Sequence, residues 1–217
     1  MVVLKRVRRY SVKKRASKVA VRDFARAPRP KSGFLDFYDS LPRILKGKDI
    51  REVVDAIVRA HKTKKPVIWM SGAHVIKCGL NPVLIELIKR KVITCVCLNG
   101  AGVIHDFEIA LQGTTSEDVG ESLSTGSFGM AKEPADFINN AVSIGAARGL
   151  GLGNSVAREI ALGRLPFKES SLLYNAYKYK VNVYVFVAIG TDIIHQHPSF
   201  DAGLTGQGSL RDFHSLV

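Results

Sequence analysis

Two glycine-bearing loops carry side chains that could do chemistry. Asn99-Gly100-Ala101-Gly102 is followed by His105 and Asp106, and Gly190-Thr191 by Asp192, with His195 and His197 beyond. An imidazole near neutral pH can take or give a proton, and a carboxylate beside it can orient it or hold a cation. Small residues let backbone approach a ligand closely, and a helix starting there turns N–H groups toward phosphate oxygens. Ser71-Gly72-Ala73-His74 is a third loop of this kind. His105, Asp106 and Asp192 are therefore candidate catalytic groups. Ser71, Gly72, Asn99, Gly100, Ala101, Gly102, Thr191 and Asp192 are candidate cofactor-binding positions. Asp106 and Glu108 have a second reading, as acids complementing a helix dipole. His195 and His197, with Asp192, form a weaker alternative as metal ligands, since no HExxH or paired-cysteine pattern accompanies them.

Positioning such loops requires strands ahead of them. "KKPVIWM", "VITCVCL" and "VNVYVFVAI" are short apolar runs, each ending at one of the three loops. Ile50, Val53, Val54, Ile57 and Val58 recur at helical spacing over Asp49–Ala60, and "LNPVLIELIKRK" reads as a helix with Asn81 as N-cap and Pro82 in its first turn. "NGAG" reads as a turn, "VIHDFEIAL" as a helix, Pro134–Arg148 as another, Val156–Leu162 as one capped by Asn154 or Ser155, and "KESSLLYNAYKYK" as a further helix. Alternating strands and helices predict an α/β fold, a parallel sheet with helices on both faces. Strands apolar throughout fit burial on both sides. Ligands in such sheets bind beyond the carboxyl ends of the strands, where strand order reverses. Residues 113–130 are polar and glycine-rich, and loops of that length are usually functional.

The charge is uneven. Of 32 Lys and Arg and 19 Asp and Glu, residues 1–31 hold twelve and one, so an arm of net +11 precedes a remainder of net +2. "RAPRPKSG" marks a linker, giving a basic arm over 1–32 and a domain over 33–217. The arm lacks the apolar stretch of a secretory signal and reads as a solvated arm, a transit segment or a nucleic-acid contact. Few aromatics, Tyr10 among them, interleave its basic residues, against base stacking, so nucleic acid is a secondary alternative. No apolar run reaches the roughly 18 residues of a membrane span. Cys95 and Cys97 should share one face of a strand as buried thiols in a reducing, cytoplasmic compartment.

Five segments in order, "GAHVIKCGLNPVLIELI", "LNGAGVIHDFEIAL", "TSEDV", "FGMA" and "VAIGTDIIHQHP", together resemble the deoxyhypusine synthase family and its bacterial deoxyhypusine synthase-like branch, from about Gly33 to the last residue. The resemblance implies an NAD-binding Rossmann-like domain, usually in a homotetramer. It implies transfer of an aminobutyl group from spermidine to an amine acceptor by NAD-dependent dehydrogenation. Ser71 and Gly72 fall in the family's first nucleotide loop, Ala101 and Gly102 in its second, and Thr191 and Asp192 on a Thr-Asp pair at the NAD site. Asp106 matches an acid. His105 is the point of departure, because the synthases carry a polyamine-binding glutamate there. The family's catalytic lysine lies in a C-terminal third, for which "SLRDFHSLV" offers no counterpart. The expected ligands are NAD and a small amine or polyamine. The alternative is a nucleotide-binding or assembly protein without turnover.

Overall fold

The computed structural model describes residues 7–217; the first six residues of the basic arm lie outside them. The chain forms two compact units, Met1–Arg59 and Ala60–Val217. In the first, single 3-10 turns at Val12–Lys14 and Val21–Asp23 precede α1 (Phe34–Ser40) and most of α2 (Leu45–Lys62). Arg51 ties this unit together: its guanidinium lies 4.6 Å from the Tyr38 ring centre and donates to the Tyr38 carbonyl at 2.6 Å.

The second unit is built on a parallel sheet of β1 (Ile68–Ser71), β2 (Cys95–Asn99) and β3 (Asn182–Phe186), in the order β1-β2-β3. The expected α/β class is observed. Strand order reverses nowhere among the described residues, so the three loops are neighbours because all three strands end on the same side. Between β1 and β2 lie the one-turn α3 (His74–Lys77) and α4 (Asn81–Lys89). Between β2 and β3 come α5 (Gly100–Gln112), α6 (Val119–Thr125), α7 (Lys132–Ala147), α8 (Leu152–Leu162) and α9 (Leu172–Lys178). α10 (Ala202–Leu216) follows a 3-10 turn at Ile193–Gln196. Among the described residues no helix is long and apolar enough to cross a membrane.

The two sheet faces are covered unequally. Val96, Leu98, Val183 and Val185 enter the main core, packed with side chains such as Phe107, Val156, Ile160 and Leu173. The other face carries Cys95, Cys97 and Tyr184, with Phe186 and Leu216 against them. Its β1 members, Ile68 and Met70, are exposed. Cys95 and Cys97 do share that face, their sulfurs 3.8 Å apart, and burial pushes the Cys95 thiol up to about 12.

Several boundaries differ from the sequence reading, because side chains serve distant partners. Asn81 is the first helical residue of α4, not its cap; its Nδ2 donates to Asp106 and to the Ser170 carbonyl. "NGAG" is no free turn: α5 begins at Gly100, capped by Asn99, whose side chain accepts from the Gly102 N–H. α8 starts at Leu152, because Asn154 accepts the Val183 N–H and so serves the sheet. "SGAHVIKCG" contains α3, and the long polar segment contains α6.

Candidate functional site

At the carboxyl ends of the strands lies a cavity of about 540 Å³ between the start of α5, the segment after it and the loop after β3. Ala101, His105, Thr191 and Asp192 line it. Glu108, Glu117 and Lys77 do so as well. Three carboxylates thus face one ammonium in this cavity, while the whole chain is strongly basic.

His105 and Glu108 are three residues apart on α5 and so share a face. His105 Nδ1 lies 2.7 Å from Thr115 Oγ1 and 3.3 Å from Glu108 Oε2. Thr115 donates its hydroxyl hydrogen to Glu108, so its oxygen accepts from His105 and Nδ1 carries the proton. In the neutral ring Nε2 keeps the lone pair, the arrangement a proton acceptor needs. Burial works to raise the Glu108 pKa. Hydrogen bonds from His105, Thr115 and the Ser116 backbone outweigh it and hold the carboxyl below its usual range. Glu117 is anchored by the Gly129 N–H at 2.9 Å, a bond that links the two ends of the polar segment.

Asp192 sits at the amino end of α5. It accepts the Ala101 N–H, and a Cβ on Gly100 would fall 1.8 Å from its Oδ2, so a side chain at position 100 would displace the carboxylate. Burial raises the Asp192 pKa, against the influence of the nearby His195 imidazole and the Ala101 N–H. A dinucleotide in a Rossmann-like site places its pyrophosphate on such a helix terminus. Here Asn99 takes the Gly102 N–H and Asp192 the Ala101 N–H, so a carboxylate already stands where the phosphate charge would sit. The residues present do not fit a pyrophosphate at α5 in this arrangement.

Other candidates lie apart from the cavity. Asp106 turns to the opposite side of α5, fully buried, and accepts from Asn81, Ser171 Oγ and the N–H groups of Leu172 and Leu173 at 2.5–3.0 Å. Burial raises its pKa against those bonds. The catalytic expectation for Asp106 is therefore corrected: its carboxylate starts α9 and does not line the cavity. Ser71 accepts from the Trp69 indole at 3.0 Å, and Gly72 lies near Asn99, both outside the cavity lining. His195 Nδ1 accepts the N–H groups of Gly190 and Asp192, and His197 Nε2 reaches the Gly129 carbonyl at 2.9 Å. The two rings serve different partners, and no group of three or more His, Cys, Asp or Glu suited to a metal ion occurs among the described residues.

The sequence reading passed over Glu108, Thr115, Glu117 and Lys77 as site residues. Glu108 was within reach through its spacing from His105. The others needed the fold.

No protein-family model matches the chain, and no curated protein matches it. Two solved structures are distantly similar. One is apo ArgZ, an arginine dihydrolase from the ornithine-ammonia cycle in Cyanobacteria, at 16% identity and TM-score 0.47 over 77% of this chain and 22% of that one. The other is a conserved LOR/SDH protein from Methanococcus maripaludis S2, at 15% identity and TM-score 0.46 over 91% of this chain and 52% of that one. This chain therefore spans a fraction of either, and a likeness at this level concerns the α/β fold alone.

Proposed function

We propose that the chain binds a small polyamine-like cation in the cavity at the carboxyl end of the sheet, with His105 as the proton-handling group. The observation that carries this is the lining itself: Glu108, Glu117 and Asp192 against Lys77 alone, around His105. Glu108, half-buried and held ionised, attracts an ammonium more strongly than an exposed carboxylate would, because less water screens it. Glu108, one turn beyond His105, supplies the carboxylate that the family resemblance would seek at position 105. The aminobutyl transfer implied by that resemblance would place its amine here. His105 Nε2 could then take a proton from a bound ammonium while Thr115 and Glu108 fix the ring. NAD is the cofactor the resemblance implies. Asp192 fills the α5 terminus, where the cofactor's pyrophosphate would otherwise rest.

Calorimetric titration of the full chain with spermidine tests this reading. Binding in the micromolar to millimolar range is expected, weakened about tenfold by Glu108→Gln, or about 1.4 kcal/mol. A folded wild-type sample that takes up neither spermidine nor putrescine would sink the proposal. For the cofactor, Asp192→Asn should tighten NAD binding by removing the negative charge from the helix terminus. Tighter binding by the wild type would show that the carboxylate contacts the cofactor instead.

A further inference from the structure

The opposite, amino end of the same sheet has the reverse character. Three basic tripeptides of one pattern lead into the three strands: Lys62-Thr63-Lys64 before β1, Lys89-Arg90-Lys91 before β2 and Lys178-Tyr179-Lys180 before β3. They are scattered along the sequence. Parallel strands in the order β1-β2-β3 bring them to one edge of the unit, with neighbouring strands roughly 4.8 Å apart.

Their backbone geometry is shared too. The second lysine of each tripeptide is left-handed, with φ of 55° at Lys64, 57° at Lys91 and 56° at Lys180. Each ends its helix with the same pair of hydrogen bonds: Lys64 N–H to His61 and Lys65 N–H to Ala60, Lys91 to Ile88 and Val92 to Leu87, Lys180 to Tyr177 and Val181 to Ala176. This is the Schellman ending, whose left-handed residue is normally glycine because an L side chain is strained there. The chain follows that preference at its other Schellman endings, although Lys31, Leu45 and Ser116 are left-handed outside such endings. α3, α6 and α7 make the same ending at Gly79, Gly126 and Gly149, none of which feeds a strand. Attraction to the helix dipole does not account for the difference. α3 and α7 also end near cations, Lys77 and Arg148, and still use glycine. Lysine thus stands against local backbone preference at the three positions that share the amino edge of the sheet.

The surface around them is concave and cationic. One groove of about 420 Å³ is lined by His61, Lys64, Lys65 and Lys91, and a second of about 730 Å³ by Arg148, Arg158, Lys178 and Lys180 with the exposed ring of Tyr177. Neither lining includes an acid. Lys91 donates to the Tyr179 carbonyl and so links the two. Nearby acids are engaged at the margins: Glu86 with Lys89 and Arg90, Glu159 with Arg158, Glu169 with Lys178. Lys64 and Lys180 make no ion pair among the described residues.

We propose that this edge binds single-stranded nucleic acid through its phosphate backbone, the three left-handed lysines spaced along it and Tyr177 offering a face for a base. A row of cations across adjacent strands suits a repeating anion, and an exposed aromatic beside it suits a base. Of the aliphatic side chains in the two linings, Val181 is buried and Leu150 half-buried, which leaves little to enter a bilayer. None of its lining residues belongs to the amine cavity or to the sequence of the basic arm.

The test uses the full chain and a fluorescein-labelled 20-nucleotide poly(A) RNA, with anisotropy followed over a salt series. The triple variant Lys64→Gly, Lys91→Gly, Lys180→Gly keeps a residue suited to the left-handed turns, and thermal melting checks that it is folded. A control variant, Lys13→Gln, Lys14→Gln, Lys18→Gln, removes the same charge from the arm. The glycine variant should bind at least about tenfold more weakly, and its salt slope should fall by about 2, some 0.7 for each lost phosphate contact. The arm variant should lose much less. The proposal is overturned if the glycine variant binds like wild type, or if the arm variant loses as much. It is overturned equally if phosphatidylserine vesicles bind more tightly than the RNA and the glycine variant abolishes that binding.

Discussion

Asp106, Asp192 and Asp212 share a task that no local motif shows. Each is a buried or partly buried carboxylate placed at the amino end of a helix from elsewhere in the chain: Asp106 at α9, Asp192 at α5, Asp212 at α8. Unpaired N–H groups and the partial positive charge at a helix start make such a place hospitable to an anion. Burial raises the pKa of all three. Asp106 is the most deeply committed. Asp106→Ala would strand the Leu172 and Leu173 N–H groups, Ser171 and Asn81 without an acceptor in the core. A loss of about 3–5 kcal/mol in urea unfolding is expected. Spermidine affinity of the folded fraction should be unchanged, whereas a catalytic or ligand-contacting role would alter it.

At the scale of elements, glycines set how closely α8 approaches its neighbours. A Cβ on Gly153 would fall 2.3 Å from the Val183 carbonyl oxygen and 2.9 Å from the Tyr184 nitrogen, both backbone of β3. A Cβ on Gly145 of α7 would meet Ser155 Oγ at 1.7 Å. Gly153→Ala must therefore push α8 off the sheet, and a destabilisation of about 1–3 kcal/mol in urea unfolding is expected. Gly206→Ala, where nothing lies within 4 Å of the added atom, is the comparison and should be neutral or slightly stabilising. Most helices of the second unit were readable, because apolar periodicity follows from one-sided burial. α10 was not read: Gly203, Gly206 and Gly208 interrupt its pattern, and its polar residues bond to β3. The starts of α4 and α8 were also misplaced, since Asn81 and Asn154 resemble caps but bond elsewhere.

Across the whole second unit, α10 closes the open edge of β3. Asp212 Oδ2 accepts the Gly153 and Val185 N–H groups, each at 2.8 Å. Ser209 accepts from Val187 at 3.2 Å and donates to the Val185 carbonyl at 3.0 Å. Side chains thereby occupy the edge positions another strand would use. Burial pushes the Asp212 carboxyl up to about 6, against the backbone N–H bonds that favour its charge. Its folded-state pKa thus lies above the unfolded value, so the native state holds a proton that the unfolded chain has released. The stability this provides is complete below about pH 4 and is lost as pH rises through about 6, by about 3 kcal/mol at most. Glu108 and Glu169 have lowered pKa values and work in the other direction. The informative quantity is therefore the difference between wild-type and Asp212→Asn unfolding curves from pH 4 to 7. Wild type should lose stability relative to the variant across that range, and a flat difference would contradict the assignment.

The sequence by itself determined the α/β class, the three strands, the loops at their carboxyl ends and the placing of His105 just beyond one of them. These depend on apolar runs, periodicity and glycine turns, all local quantities. Tertiary structure alone decided which charges meet. It turned Asp106 into the core and brought Glu108, Glu117 and Asp192 around His105. It put Asp192 on the helix terminus that the glycine loop had suggested for a phosphate. It also gathered three distant Lys-x-Lys tripeptides onto one edge. Electrostatics acts through space at a few ångströms, so its outcome follows the packing of elements and not the order of residues.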